Sequence, residues 1–213
     1  KKELLKAACC NLSESFENNA TVDVAYTDAV SGAKQIQMLG LAGIYSQLLS
    51  ENIPSIRGLA TSHGLGYTPG SWMESIQISK GTSSVINGYE STTGQINVEY
   101  KKPENSDKLH LNVYANELGK MEGNLTSECK INNNLSTILM LHGENFTSEI
   151  DRNNDLFLDL PKTSQINIFN KWRYAYKKKI VTQIGVKLLS EERNGGQKGF
   201  DENNKSNNNV YGI

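Results

Sequence analysis

The chain has 213 residues, a formal net charge of −1 and a hydrophobic content of 37%. This length fits one large domain, or a small domain followed by part of another. The near-zero charge gives no electrostatic basis for binding nucleic acid, and no apolar run approaches the roughly 18 residues that a membrane-spanning helix needs.

The first predicted element is a helix over residues 2–17. Apolar residues recur every four positions along it, at Leu4, Ala8, Leu12 and Phe16, which is the spacing of one helical face. A single apolar stripe of this kind indicates a helix that packs on one side against a sheet.

Five short strands are predicted next, in segments separated by Gly, Pro, Asn and Ser. They are Val22–Tyr26, Lys34–Leu39, Ile44–Leu49, Ile76–Lys80 and Gln95–Lys101. A helix followed by mixed strands, all within about 100 residues, indicates a compact α+β domain.

Beyond a linker at 101–107, alternation of apolar and polar residues dominates. The apolar members of the four clearest series are Leu109, Leu111, Val113 and Ala115; Met121, Leu125, Cys129 and Ile131; Ile166, Ile168, Trp172, Tyr174 and Tyr176; and Ile180, Ile184, Val186 and Leu188. Residues 135–145 form a less regular fifth series. The wall of a transmembrane β-barrel has this pattern, and so does a soluble antiparallel sheet with one wet face.

One motif joins two alternating runs, 76–80 and 95–101, through a connector with glycines where the chain must turn or pass another backbone closely. Its residues in order are Ile76, Ile78, Lys80, Gly81, Ser84, Gly88, Gly94, Ile96, Asn97 and Val98. This order resembles the C-terminal signature of the plug domain of TonB-dependent outer-membrane receptors. The wording of the motif is most similar to receptors of the Bacteroidetes type.

The resemblance implies a fold. Residues 1–102 are expected to form an α+β plug domain, and residues 107–213 antiparallel strands of an incomplete transmembrane β-barrel. Barrels of this family have about 22 strands, so the chain is expected to be a fragment, with the Asn-rich segment 203–209 in an extracellular loop. Leu39 and Glu51-Asn52 stand where the family has Arg and Asp-Gly.

The resemblance also implies a function, the active import of a scarce nutrient across the bacterial outer membrane. Cobalamin, a siderophore or another metal chelate is the expected cargo, and the TonB–ExbB–ExbD complex would supply the force. Outer-membrane lipids and a surface lipoprotein are further expected partners. No chemistry on the cargo is expected, and no cofactor apart from a structural calcium ion.

Ligand contacts are expected in the apical segment 63–72, which is rich in glycine and aromatic residues. The candidate contacts are His63, Tyr67 and Trp72. Ordinary glycine turns with packed aromatic side chains explain this segment equally well. Three charged residues of the plug region are expected to pair with charges on the barrel wall: Lys80, Glu90 and Glu99.

A calcium site is predicted in the segment 151–159. Oxygen-bearing side chains stand there at alternate positions, as in the first part of an EF-hand loop: Asp151, Asn153, Asp155 and Asp159. The match is partial, because Leu156 replaces the turn glycine and Lys162 stands where the bidentate Glu is required. The alternative is a polar hairpin loop stabilised by Asx turns.

Two other classes of protein stay open. One is a soluble α+β ligand-binding module without transport, and the other is a β-rich hydrolase. The sequence contains no Walker loop, Gly-x-Ser-x-Gly or His-Glu-x-x-His motif. Its three cysteines, Cys9, Cys10 and Cys129, form no metal-binding or redox motif. A protein that is not an enzyme is therefore expected.

Overall fold

The computed structural model describes residues 11–13, 16, 22–177, 180–200 and 210–213. The strands are β1 (Asp23–Asp28), β2 (Ala33–Gln37), β3 (Ser46–Ser50), β4 (Ile53–Pro54), β5 (Met73–Lys80), β6 (Gly94–Tyr100), β7 (Leu109–Ala115), β8 (Met121–Lys130), β9 (Leu135–Phe146), β10 (Lys162–Tyr176) and β11 (Ile180–Asn194). Short 3-10 helices lie at Gly43–Tyr45, Gly58–Ser62, Gly70–Trp72, Val85–Asn87 and Pro103–Asn105. None of the helices in this described part is long and apolar enough to cross a membrane.

The strands form three sheets. β1 and β2 pair as an antiparallel hairpin, and β4, β3, β6 and β5 form a four-stranded sheet in that spatial order. Within it, β3 and β6 are parallel and the other neighbours are antiparallel. The third sheet is an antiparallel meander of β7 to β11, in which each strand pairs with the next along the chain.

Most strands begin and end within a few residues of their predicted bounds. The clearest difference is at Ile44–Leu49, where a 3-10 helix over Gly43–Tyr45 precedes β3. The series 135–145, which is irregular in sequence, is a continuous strand paired to β8 on one side and β10 on the other. Its alternation is irregular because Ile138 and Met140, on the inner face, are apolar members of the buried core.

The predicted helix over 2–17 falls mostly outside the described residues. Asn11 forms a β-bridge with Pro69, and the Leu12 amide donates to the Thr68 carbonyl at 3.0 Å. Residues 11–13 therefore pair with segment 68–69, and the helix prediction is wrong for these three residues.

One hydrophobic core lies between the four-stranded sheet and the inner face of the five-stranded sheet. Its buried members are Leu12, Phe16, Val22, Ile36, Met38, Leu65, Trp72, Met73, Ile96, Val98, Tyr100, Ile138, Met140 and Phe169. The Phe169 ring meets Tyr100 edge to face at a centroid distance of 5.1 Å. Residues before and after the predicted boundary at 102–107 therefore share this core, and the domain division stays a prediction.

The five-stranded sheet has its polar face inward and its apolar face outward. On the inner face, which packs against the four-stranded sheet, the buried polar side chains include Glu122, Asn124, His142, Asn167 and Lys171. The outer face exposes Leu109 (66%), Leu111 (67%), Val113 (68%), Ile184 (63%) and Leu188 (60%). An antiparallel sheet with one face in water normally buries its apolar side, so this sheet is reversed.

Candidate functional site

The two ends of the five-stranded sheet differ in their connections. Residues 147–161 join β9 to β10 at one end, and β11 leads into residues 195–213 at the same end. At the opposite end, residues 131–134 join β8 to β9. We call these the long-loop end and the short-turn end.

A cluster of polar side chains lies at the long-loop end. It brings together the β1–β2 turn, the segment 63–67 and the last residues of β11. The members of this apical cluster are Asp28, Ser31, His63, Tyr67, Glu191 and Arg193. It contains two of the three residues that the sequence predicts as ligand contacts.

Arg193 joins β11 to the β1–β2 turn. Its Nη1 donates to the Ser31 carbonyl oxygen at 3.0 Å, and its Nη2 donates to Glu191 Oε1 at 2.5 Å. Glu191 and Arg193 share one face because side chains two positions apart on a strand point the same way. The guanidinium is thereby held in place with a carboxylate beside it.

Tyr67 connects the apical cluster to the middle of the sheet. Burial, with the neighbouring Glu191 carboxylate and its hydrogen bond, raises the pKa of Tyr67 to about 12. The Tyr67 carbonyl oxygen accepts from Asn167 Nδ2 at 2.9 Å and from Lys187 Nζ at 2.6 Å. The phenol therefore remains a protonated hydrogen-bond donor at neutral pH.

Asp28 and His63 form the other side of the apical cluster. The Ser31 hydroxyl and the Ser31 and Val30 amides donate to Asp28. These hydrogen bonds, led by that of the hydroxyl, hold the pKa of the Asp28 carboxyl below its usual value. The Nδ1 atom of His63 is buried without a hydrogen-bond partner among the described residues. This nitrogen has no accessible surface in the structure, so a ligand reaches it only if the segment 63–67 moves.

Trp72 does not belong to this surface. Its side chain is fully buried, with its ring centroid 6.3 Å from that of Phe169. The prediction that Trp72 contacts a ligand is therefore corrected, because the residue has no exposed area to offer. For this residue the alternative explanation, a packed aromatic in a glycine-rich segment, holds.

The predicted plug signature forms the connection between β5 and β6. Gly81, Gly88 and Gly94 have φ angles of 84°, 113° and 153°, which are positive as the sequence suggests. Ser84 Oγ accepts from the Ile86 amide at 3.4 Å and caps the 3-10 helix that follows. Lys80 is exposed at the end of β5.

Asn97, the last polar residue of the signature, is buried and has a clear role. Its Oδ1 accepts from the Asn52 amide at 2.8 Å, and its Nδ2 donates to Asn52 Oδ1 at 3.1 Å. Glu51 and Asn52 both have positive φ angles, of 52° and 66°. Asn97 therefore holds the tight turn between β3 and β4 in place from a neighbouring strand.

Two of the three charged residues expected to pair with the barrel wall, Glu90 and Glu99, have basic partners within residues 57–102. Glu90 accepts from Arg57 Nη2 at 2.6 Å, and this bond lowers the pKa of the Glu90 carboxyl. Glu99 accepts from Lys102 Nζ at 3.1 Å. Among the described residues, neither carboxylate pairs with a residue of the five-stranded sheet, and pairing with other parts of a wall stays a prediction.

The ion pairs that cross between the two sheets involve other residues. Lys171, on the inner face of β10, pairs with Glu51 of the β3–β4 turn. Arg173, also on β10, pairs with Glu104 of the 3-10 helix before β7. Alternation places Lys171 and Arg173 on the polar face, but the partners are far apart in sequence and only the fold brings them together.

The predicted calcium loop is organised by Asx-type hydrogen bonds. The Phe157 amide donates to Asp155 Oδ1 at 2.8 Å, and the Arg152 amide donates to Asp159 Oδ2 at 2.9 Å. Lys198 Nζ lies 3.2 Å from Asp151 Oδ2. Within the described residues, no group of three or more His, Cys, Asp or Glu side chains is placed to hold a metal ion. This geometry favours the Asx-turn alternative, and calcium binding stays a prediction.

No family model matches the sequence, and no curated protein matches it. Solved structures do match. The siderophore receptor PirA from Acinetobacter baumannii aligns at 16% identity with a TM-score of 0.63, over 92% of this chain and 31% of PirA. The copper transporter OprC aligns at 11% identity with a TM-score of 0.71, over 89% of this chain and 30% of OprC.

The ferric-catecholate import receptor Fiu from E. coli K12 aligns at 17% identity with a TM-score of 0.62, over 90% of this chain and 26% of Fiu. These proteins are receptors and a transporter rather than enzymes. At such low identity the likeness concerns the fold alone. The chain thus has the fold of a segment that makes up less than a third of known siderophore receptors and a copper transporter.

Proposed function

We propose that this chain is part of a TonB-dependent importer of the bacterial outer membrane. In this proposal residues 1–102 form the plug and residues 107–213 the first strands of the barrel wall. The observation that carries the proposal is the reversed five-stranded sheet. Lipid covers the outward apolar face of a transmembrane barrel, and in this proposal the polar inner face lines a lumen that the four-stranded sheet fills.

The apolar outer face has the height that a bilayer requires. On β10, outward-facing side chains that are mainly apolar run from Ile166 to Tyr176. Ten steps of about 3.4 Å, tilted by about 40°, span about 26 Å, which matches the roughly 25 Å apolar band of outer-membrane barrels. Trp172, Tyr174 and Tyr176 then lie near the short-turn end, where an aromatic girdle is expected.

The solved structures that share this fold include siderophore receptors and a copper transporter. They support import across the outer membrane in general, with a siderophore or another metal chelate as the cargo. Cobalamin and the Bacteroidetes type rest on the wording of the 76–100 motif alone. The proposed partners are the TonB–ExbB–ExbD complex, outer-membrane lipids and a surface lipoprotein.

The apical cluster is the proposed first contact of the cargo. The Tyr67 hydroxyl bonds to Glu191, and Arg193 pairs with the same carboxylate. An oxygen-rich chelate accepts hydrogen bonds from donors of these two kinds, so in this proposal it takes the place of Glu191 as their acceptor. Both donors and His63 lie at the long-loop end, which in this proposal faces the cell exterior.

A pair of substitutions on one strand tests the membrane assignment. Leu111→Lys places a charge on the outer face of β7, where lipid contact makes it cost about 2 to 4 kcal/mol. Asn112→Lys places the same charge on the inner face and serves as the control. We expect only Leu111→Lys to reduce the amount of protein recovered in the outer membrane. Equal recovery of both variants would overturn the assignment.

Uptake assays test transport separately. We expect cells that carry the complete gene product to accumulate a radiolabelled ferric siderophore or cobalamin, and to lose this uptake when TonB is deleted. Correct insertion without TonB-dependent uptake of either compound would overturn the import proposal and leave the fold assignment intact.

The alternative of a soluble α+β binding module predicts the opposite result for the paired variants. In water, Leu111→Lys would replace an exposed apolar side chain by a charged one and improve solubility. No feature of the described residues favours this alternative over the importer.

A further inference from the structure

A cavity of about 600 Å³ lies between the four-stranded sheet and the inner face of β10 and β11. It is separate from the apical cluster, because its wall includes the β3–β4 turn and the ends of β3 and β6. Its volume is within the range of about 300 to 1,000 Å³ that is typical of small-molecule sites. The proposed function assigns no role to this cavity.

Three lysines line the cavity, and two of them have a carboxylate partner. Lys171 pairs with Glu51, and Lys102 pairs with Glu99 at 3.1 Å. Both carboxylates also line the cavity. These two pairs contribute no net charge.

Lys187 is the third lysine and differs from the others. Its Nζ donates to the Tyr67 carbonyl oxygen at 2.6 Å and lies 5.8 Å and 6.0 Å from the ring centroids of Trp72 and Tyr100. Among the described residues, no carboxylate forms an ion pair with it. With the other two lysines balanced by Glu51 and Glu99, the charged side chains of the lining sum to one positive charge. An anion bound beside Lys187 would supply the counter-charge that this buried ammonium lacks.

The rest of the lining suits an organic body rather than a bare inorganic ion. Tyr100, Phe169 and Pro54 supply apolar surface, and Gln183 and Ser50 supply hydrogen-bonding groups. Gly185, opposite Lys171 on β11, contributes no side chain, and a Cβ there would come within 2.8 Å of the Phe169 ring. The Phe169 ring therefore packs directly over this glycine and forms part of the apolar wall beside Lys187.

We propose that this cavity binds a small organic carboxylate, with the carboxylate at Lys187 and an apolar body against Tyr100 and Phe169. The inference goes beyond the proposed function, because it needs neither transport nor the apical cluster. The ligand class follows from one unbalanced ammonium group, aromatic walls and a volume too large for a single inorganic anion.

Trp72 reports on this cavity because its ring lies beside Lys187. The chain has two tryptophans, and the other, Trp172, lies on the outer face. The signal is the part of the emission change that a Trp72→Phe variant lacks, followed as ligand is added to the detergent-solubilised protein. Benzoate is the test ligand. Benzamide, which has the ring without the charge, and inorganic phosphate, which has charge without the ring, are the controls.

We expect benzoate to change Trp72 emission saturably, with benzamide and phosphate each at least tenfold weaker. Lys187→Met should weaken benzoate binding at least tenfold, whereas Lys80→Met, at an exposed lysine at the end of β5, should leave it unchanged. Glu99→Gln removes one carboxylate from the cavity, at the more exposed of the two pairs, and should tighten benzoate binding. This variant tests the site even if Lys187→Met fails to fold.

Three results would overturn the inference. They are equal binding of benzamide, equal or tighter binding of phosphate, and benzoate binding that neither Lys187→Met nor Glu99→Gln alters. The absence of any saturable response would also overturn it. None of these results bears on TonB-dependent uptake, so failure of this inference is distinguishable from failure of the proposed function.

Discussion

Lys171 and Glu51 form an ion pair that joins the inner face of β10 to the β3–β4 turn. The Lys171 side chain is 2% exposed and that of Glu51 is 26% exposed. Because one partner is buried and the other retains contact with water, the loss of one is not equivalent to the loss of the other. Removal of Glu51 and removal of Lys171 should therefore have different effects on stability.

We expect Glu51→Gln to lower the free energy of unfolding by about 3 kcal/mol, because it leaves the Lys171 ammonium buried without a counter-charge. Lys171→Met should cost about 1 kcal/mol or less, since the methionine keeps most of the packing and Glu51 regains water. Urea unfolding in detergent measures both losses. An equal or larger loss for Lys171→Met would contradict the asymmetry.

The glycines of the predicted plug signature should differ in their tolerance of alanine. At Gly94 a Cβ would lie 2.3 Å from the Ser79 carbonyl oxygen, whereas at Gly81 no atom lies within 4 Å. Both have positive φ, which alone costs about 1 to 2 kcal/mol. Gly94→Ala should therefore cost more than Gly81→Ala, which is its matched control.

Unfolding midpoints of the two alanine variants decide this point. A loss for Gly94→Ala no larger than that for Gly81→Ala would show that β5 and β6 do not approach as closely as 2.3 Å implies.

The Tyr67 hydroxyl should lose its proton at a higher pH than an ordinary tyrosine does. Its pKa is raised from 10 to about 12, so the folded state keeps the phenolic proton longer than the unfolded state does. The stability that this difference contributes is fully present below about pH 10 and is lost as the pH rises toward 12. Tyrosinate absorbance should show one group titrating near pH 12, and Tyr67→Phe should remove it. A profile unchanged by Tyr67→Phe would rule out this assignment.

The response of loop 151–159 to added calcium distinguishes the predicted calcium site from the Asx-turn alternative. With Asp155 bonded to the Phe157 amide and Lys198 paired to Asp151, we expect millimolar calcium to leave the thermal unfolding midpoint unchanged. Asp155→Ala should destabilise the protein by about 1 kcal/mol through the lost hydrogen bond. Saturable calcium binding in calorimetry, abolished by Asp155→Ala, would instead support the calcium site.

The sequence by itself predicts the local structure well where one physical constraint acts over consecutive residues. The alternation from Leu109 to Leu188 indicates strands because side chains on a strand point alternately to two faces. The positive φ angles at Gly81, Gly88 and Gly94 follow from a connector that must turn sharply. The same motif pointed to the class of fold that the solved structures share.

Only the tertiary structure decides which residues meet. Periodicity shows that Lys171 and Asn97 share a face with other residues of their strands, but not that Glu51 and Asn52 stand opposite them. It also cannot tell which face of the five-stranded sheet is buried, because alternation is the same in both cases. Trp72 illustrates the limit: its glycine-rich surroundings suit a surface loop, and packing against Phe169 places it in the core. Burial and long-range pairing depend on contacts between residues far apart in sequence, which no local pattern records.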